Sequence, residues 1–271
     1  MQTFDNHAGL VAKRLRTLAE SLCEDYAQGD PFPHIVIDDF LPEEILDRVL
    51  AEFPDNDDEM WDRKSKRSSV KLSCNNRDVL GLETGLLIDQ LNAPKMLDFL
   101  ARLTGIEDLI PDVHLFGGGL HQILSGGFLK IHADFNKHPA WHLDRRLNVL
   151  LFLNRDWREE FGGHFELWDE EMLGCRKRVL PIFNRLVVFT TTDTSFHGHP
   201  DPLQCPTGQS RKSIALYYYT NGRADETAGE SHSTIYKIRS GQDKPQRRLS
   251  RAARGLLKPL SSIVGRLRQG A

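Results

Sequence analysis

Apolar residues recur at helical spacing through the first hundred positions and give way to short strand-like runs after them. Leu10, Val11, Leu15, Leu18, Leu22 and Tyr26 fall on one face at a period near 3.6, which predicts an amphipathic helix over 8–27 ended by Pro31-Phe32-Pro33. His34-Ile35-Val36-Ile37 is a short β-prone run. Leu41-Pro42-Glu43-Glu44 opens a second helix, because proline fits a first helical turn and acids favour its positive end, and Pro54 stops it after Phe53. Residues 61–80 are basic, polar and aperiodic, and read as a solvated surface connection, with a mobile loop over a site as the alternative. A third helical pattern, Leu86, Leu87, Leu91, Met96, Leu97, Leu100 and Leu103, is interrupted at Pro94.

From residue 109 the pattern predicts strands over 113–117, 120–133, 146–153, 164–168, 177–181, 185–191 and 211–220, with glycine and proline turns between them. Many short strands at such intervals suggest a β-sandwich or barrel, and 271 residues suffice for one large domain.

Composition changes this picture little: 39% hydrophobic and 27% charged residues are ordinary for a globular protein. No window approaches the roughly 20 apolar residues of a membrane span, and the amino terminus has no signal-peptide core, so a cytoplasmic location is expected. Cys23, Cys74, Cys175 and Cys205 lack CxxC spacing, which argues against a zinc site or a disulfide framework. Charge is more informative. From Lys237 onward ten basic residues face one acid, so a tail of +9 sits on a body of −12 within a net charge of −3. Leu249, Ala253, Leu256, Leu260, Val264 and Leu267 make 247–268 a basic amphipathic helix bent at Pro259. Such a tail can dock on the acidic body, a partner or an anionic surface; nucleic acid is not expected.

The stretch Gly126 to Asp134, GGFLKIHAD, carries the candidate chemistry. In a strand His132 and Asp134 project from the same face and can grip one metal ion. His197 lies 65 positions on (197 − 132), after the apolar run 186–189. Two histidines and one carboxylate with open positions beside them form the facial triad of non-haem Fe(II) oxygenases. Two competitors exist. His142 and Asp144 repeat the pattern in a polar connection and read as a turn or salt-bridge cluster, and His199 shares the face of His197 only if the chain does not turn at Gly198. Fourteen positions after His197 (211 − 197), strand alternation puts Arg211, Ser213, Ala215 and Tyr217 on one face. The guanidinium and hydroxyl there make a receptor for a carboxylate.

HxD, a distal histidine and Arg-x-Ser, with RRLNVLLFLN and GGHFELW between them, resemble the Fe(II)- and 2-oxoglutarate-dependent dioxygenases of the prolyl 4-hydroxylase superfamily over about residues 109–220. The opening PFPHIVIDDFLP is similar to the lead-in of bacterial members. The resemblance implies a mainly β protein, a double-stranded β-helix (jelly roll) over 109–220. Residues 1–108 would be a helical buttress integral to the catalytic domain, and 221–271 a basic, partly helical tail. It implies that His132, Asp134 and His197 hold Fe(II), that Arg211 with Ser213 binds the distal carboxylate of 2-oxoglutarate, and that O2 is consumed, with ascorbate a candidate reductant. A substrate C–H bond would be hydroxylated as 2-oxoglutarate is decarboxylated to succinate and CO2. The substrate would be a peptidyl residue such as proline or, alternatively, a small metabolite or sugar. A binding module without turnover is the rival of another class. Where many relatives have cosubstrate-binding tyrosines, this chain has Gln122, which can still donate a hydrogen bond, and Phe152, which cannot; Asn148, on the face of Phe152, is the candidate to compensate. Trp61, Trp141 and Trp168 are candidate pocket walls.

Overall fold

The computed structural model describes residues 8–223 and 230–239, so the basic amphipathic stretch 247–268 lies outside the described residues. In chain order the elements are α1 (Ala8–Ala27), β1 (His34–Ile37), α2 (Glu43–Ala51), β2 (Asp62–Ser65), β3 (Ser69–Cys74), α3 (Leu82–Leu91) and α4 (Pro94–Thr104). The strands β4 (Ile110–Pro111), β5 (Gly119–Leu124), β6 (Phe128–Ala133), β7 (Asp144–Phe152), β8 (Phe165–Trp168) and β9 (Cys175–Val179) follow, then β10 (Arg185–Thr190), β11 (His197–His199), β12 (Ser210–Thr220) and β13 (Ile235–Tyr236). Pro94 starts α4 at its first turn and Gly105 closes it in the left-handed region at φ 70°, so the third helical pattern is two helices meeting at a proline.

Three expectations are corrected. Residues 61–80 are not a loop: β2 and β3 form a hairpin, and β3 is built into the sheet between β5 and β6. Leu72 and Cys74 bury against the core with Leu120 while Ser69, Lys71 and Ser73 alternate to the other face, a two-residue period that the surrounding charges obscured. Residues 113–117 are a turn, because the Asp112 carboxylate accepts from the amides of His114 (3.0 Å) and Phe116 (2.7 Å) and Leu115 takes φ 55°. The single run 120–133 is a hairpin that reverses at Gly126, φ 79°.

All pairings are antiparallel, in the order β1-β10-β7-β12-β5-β3-β6-β11-β8-β9, with β2 and β13 added to β3 and β6 and β4 to β12. The sheet curls into a nearly closed barrel, as a double-stranded β-helix does. β1 and β3, from the first 108 residues, are therefore strands of the same sheet as the motif-bearing strands. Strand alternation divides it. Leu147, Val149, Leu151, Leu186, Val188, Ile214, Leu216 and Tyr218 face outward and merge with Leu46, Ile88, Phe99 and Leu100 of the helices. Phe152, Phe165, Leu167, Val187 and Phe189 face inward as a second apolar cluster. Tyr218 donates to the Leu91 carbonyl at 2.7 Å and pins β12 to the end of α3. No helix among the described residues is long and apolar enough to cross a membrane.

Candidate metal centre

β6 and β11 run antiparallel with His132 directly opposite His197, which sets their rings 4.5 Å apart between centroids. Each Nδ1 donates to a backbone carbonyl two residues earlier, Lys130 at 2.8 Å and Ser195 at 2.9 Å. That bond fixes the tautomer and leaves each Nε2 lone pair aimed away from its own strand. Both aim at Asp134: His132 Nε2 is 3.4 Å from Oδ1 and His197 Nε2 is 3.5 Å from Oδ2. One ligand atom from each residue lies within 4.8 Å of the other two, and all three residues are buried. Burial and then the neighbouring His197 lower the pKa of His132, favouring the neutral imidazole that a metal requires. Burial alone would raise the carboxyl pKa of Asp134, but Arg145 and the two histidines outweigh it and hold the group well below the usual carboxylate range. Two imidazole nitrogens and one carboxylate are a donor set that fits Fe(II).

Asp134 is held from behind. Arg145 donates to its Oδ2 at 2.9 Å and Asn148 to the same atom at 2.7 Å, while Asn148 Oδ1 accepts from Arg145 at 2.9 and 2.7 Å. A shift of register between β12 and β7 at Tyr218/Tyr219 makes this possible, since it lets Arg145 and Asn148, three apart, face inward together. Arg145 is fully buried, with its guanidinium 3.5 Å from the Tyr217 ring centre and 4.5 Å from that of Phe135. Asn148 is thus engaged by the Asp134 carboxylate and by Arg145. Arg145 gave no signal in the sequence beyond its place at the start of a strand.

Beside the triad lies a cluster of nitrogen groups without acids. Arg211 sits opposite Ile123, and Ser213 opposite His121 and Phe152, so all face inward. Arg211 donates through Nε to the Gly163 carbonyl at 2.9 Å and lies 4.8 Å from the Phe152 ring centre, and no carboxylate among the described residues pairs with it. Burial pulls its pKa down to about 9. Gly163 is required there: its φ is +70° and an added Cβ would fall 2.4 Å from Leu203 and 3.1 Å from Arg211. His121 Nε2 and both ring nitrogens of His199 are buried with no hydrogen-bond partner. Burial, then the Lys71 ammonium for His121 and the Arg211 guanidinium for His199, keep both rings far below the usual histidine pKa. Orphaned donors around an unpaired guanidinium are a receptor shaped for an anion with several oxygens, and a dicarboxylate fits it.

Gln122 does not reach this space. It pairs with Lys212 and Leu72 on the opposite face, and its amide donates to Asn56 at 2.7 Å and Ser210 at 2.8 Å. The inward residue is its neighbour His121. His199 differs from expectation too, because the chain stays extended through Gly198. There β11 approaches β6 so closely that a Cβ would lie 2.8 Å from the Leu129 carbonyl. His199 therefore points inward beside the triad without joining it. His142 is exposed, and Asp144 pairs with Lys137 at 2.7 Å, as the turn-cluster reading expects.

Of the tryptophans, Trp61 donates to the Asp55 carbonyl and packs on Phe53, and Trp168 packs with Ile131, Ala133 and Phe196 behind β6; both are core. Trp141 is 42% exposed and stacks on His138 at 4.3 Å, in an aromatic tract with His114, Phe116 and Phe135 that reaches Tyr217.

Residues 118–219 match the family model described as the 2OG-Fe(II) oxygenase superfamily. No curated protein matches the chain by sequence. Among solved structures, a prolyl 4-hydroxylase of Pseudomonas putida is similar at 18% identity and a TM-score of 0.55, over 75% of this chain and 100% of its own. A prolyl hydroxylase of Trichoplax adhaerens, in complex with a hypoxia-inducible-factor oxygen degradation domain peptide fragment, is similar at 19% identity and 0.55, over 76% and 91%. A prolyl 4-hydroxylase of Phytophthora capsici follows at 19% and 0.53, over 77% and 65%. The family match thus lies over the strands that carry the triad, and the fold around them is the one these prolyl hydroxylase structures share.

Proposed function

We propose that the chain hydroxylates an unactivated C–H bond, with Fe(II) held by His132, Asp134 and His197 and the distal carboxylate of 2-oxoglutarate held by Arg211 and Ser213. The observation that carries this is the convergence of both Nε2 atoms on the Asp134 carboxylate beside a buried guanidinium with no acid partner. When bound, the iron and cosubstrate supply O2 activation and the oxidation, with 2-oxoglutarate leaving as succinate and CO2. The chain's own residues do the rest. Arg145 and Asn148 keep Asp134 ionised and oriented, the two backbone carbonyls keep the imidazole lone pairs in place, and His121 stands where Gln122 was expected beside the cosubstrate. Phe152, Phe165, Leu167, Val187 and Phe189 make an apolar floor that excludes water from the reacting side.

The peptide fragment held by the Trichoplax neighbour supports a peptidyl substrate. A small metabolite or sugar is the second reading, favoured by the half-exposed Trp141 and Phe116, whose flat faces suit a ring. A cytoplasmic setting with ascorbate as reductant belongs to the same proposal. Purified protein given Fe(II), 2-oxoglutarate and O2 should release succinate, and His132→Ala or Asp134→Ala should stop it. Arg211→Ala should weaken 2-oxoglutarate binding roughly 10- to 100-fold, the worth of charge-assisted hydrogen bonds, with much less effect on metal affinity. Wild type that binds neither iron nor 2-oxoglutarate would refute the catalytic reading and leave the binding module.

A further inference from the structure

The β2–β3 hairpin sets two lysines side by side. Lys64 and Lys71 are direct cross-strand partners, so their side chains leave the same face, and like charges placed directly opposite destabilise a ladder. That face is the inner one, because Ser73, two residues on, stands opposite His121, while Leu72 and Cys74 take the core side. Lys64 touches Asp62 at 3.3 Å. Lys71 has no carboxylate and no hydrogen-bond acceptor among the described residues. It lies close enough to Asp134, Arg145, His121 and His199 to share their electrostatics. Burial, then Lys64, press its ammonium down to a pKa of about 8.

The dianionic cosubstrate does not answer this charge. Arg211 takes its distal end, the metal takes its near end, and Arg145 is already paired with Asp134. Lys71 thus faces inward from a hairpin that also carries the exposed Arg63, Lys66 and Arg67. Asp134 and Asp62 offset burial and Lys64 only in part, so the cation lowers the stability of the empty protein and a bound anion would relieve it.

We propose that Lys71, with Lys64 beside it, receives an oxyanion of the substrate, so that the molecule hydroxylated carries a phosphate or carboxylate group that the hairpin anchors next to the metal. The proposal rests on the metal-centre reading above and names the substrate class for it. An anchored anion would orient the reacting C–H bond with respect to the triad, as remote binding groups do.

The test uses the full chain loaded with Mn(II) and saturating 2-oxoglutarate in the absence of oxygen. Inorganic phosphate is titrated in one arm and acetate in the other, and the broadening of the phosphorus or carbon resonance by bound Mn(II) reports binding near the centre. Saturable broadening is expected in at least one arm, and which arm saturates distinguishes phosphate from carboxylate. Lys71→Gln should weaken that binding about tenfold, the worth of one charge-assisted hydrogen bond, and Lys71→Arg should restore it. The affinity for 2-oxoglutarate should fall far less. Lys71→Gln should also raise the unfolding temperature of the empty protein, whereas a structural lysine would lower it. No saturable broadening in either arm, or an equal loss of anion and 2-oxoglutarate binding in Lys71→Gln, overturns the proposal. If wild type binds neither Mn(II) nor 2-oxoglutarate, the metal-centre reading has failed and this proposal fails with it.

Discussion

Asp134 Oδ2 accepts from both Asn148 and Arg145, so the carboxylate is oriented before any metal arrives. Asn148→Ala removes one of these donors and should weaken metal binding about 10- to 100-fold, as loss of such supporting bonds does, measured by competition with a chelating dye. Arg145→Leu should be harsher, because it strands a buried carboxylate: a loss of about 3–5 kcal/mol in a denaturant titration is expected. The titration of Lys71 gives a check of opposite sign. Its folded pKa of about 8 lies below the ordinary 10.5, so between those pH values the unfolded chain binds the extra proton and stability rises with pH. The penalty is complete below about pH 8 and is at most on the order of 3 kcal/mol. The Tm advantage of Lys71→Gln should therefore be largest at neutral pH and fade as pH climbs towards that of free lysine. That His132 and Asp134 share one face, and Arg211 and Ser213 another, was legible in the sequence because each pair is spaced by two, whereas His197 comes to them from a different strand, β11. His121 was not legible, because counting ten residues back from His132 crosses the reversal at Gly126, and a slip of one position changes the face.

At the scale of elements, the approach of β11 to β6 sets the distance between the two histidines, and Gly198 permits it. Gly198→Ala would drive a methyl group to within 2.8 Å and 2.9 Å of the Leu129 and Lys130 carbonyls. It should cost about 1–3 kcal/mol, as overpacking does, and reduce metal affinity with it; a Tm drop with metal binding intact would disconnect the strand from the site. The hairpin of β2 and β3 was the least legible element. Only Leu72 and Cys74 mark its buried face, and two apolar residues among six lysines and arginines in 61–80 and their polar neighbours do not show a period on their own. The helices were legible because each buries several turns of one face, and their boundaries fell at prolines and glycines whose backbone limits are local.

Over the whole molecule, the helical buttress and the outer face of the sheet are one apolar cluster, so the position of the metal-bearing strands depends on residues far from them. Leu100, fully buried in α4, touches no metal ligand, and Leu100→Ala should lower stability by about 2–5 kcal/mol in a denaturant titration while the protein that remains folded binds metal normally. Fold class was readable at this scale from the change of period near residue 109, whereas the pairing order was not, because the neighbours of each strand come from distant parts of the chain.

The last strand among the described residues gives that order a temporal meaning. β6 receives β13 at Ala133 and His132, with Tyr236 5.5 Å from the His132 ring, and Arg239 closes the segment on Asp201 at 2.6 Å. A chain growing from its amino end has made His132 and His197 long before residues 235–239 leave the ribosome. β6 thus waits for a segment made much later to complete its pairing. Nascent chains stalled before residue 235 should capture metal more weakly than released protein, as expected if pairing with β13 steadies the strand that carries His132.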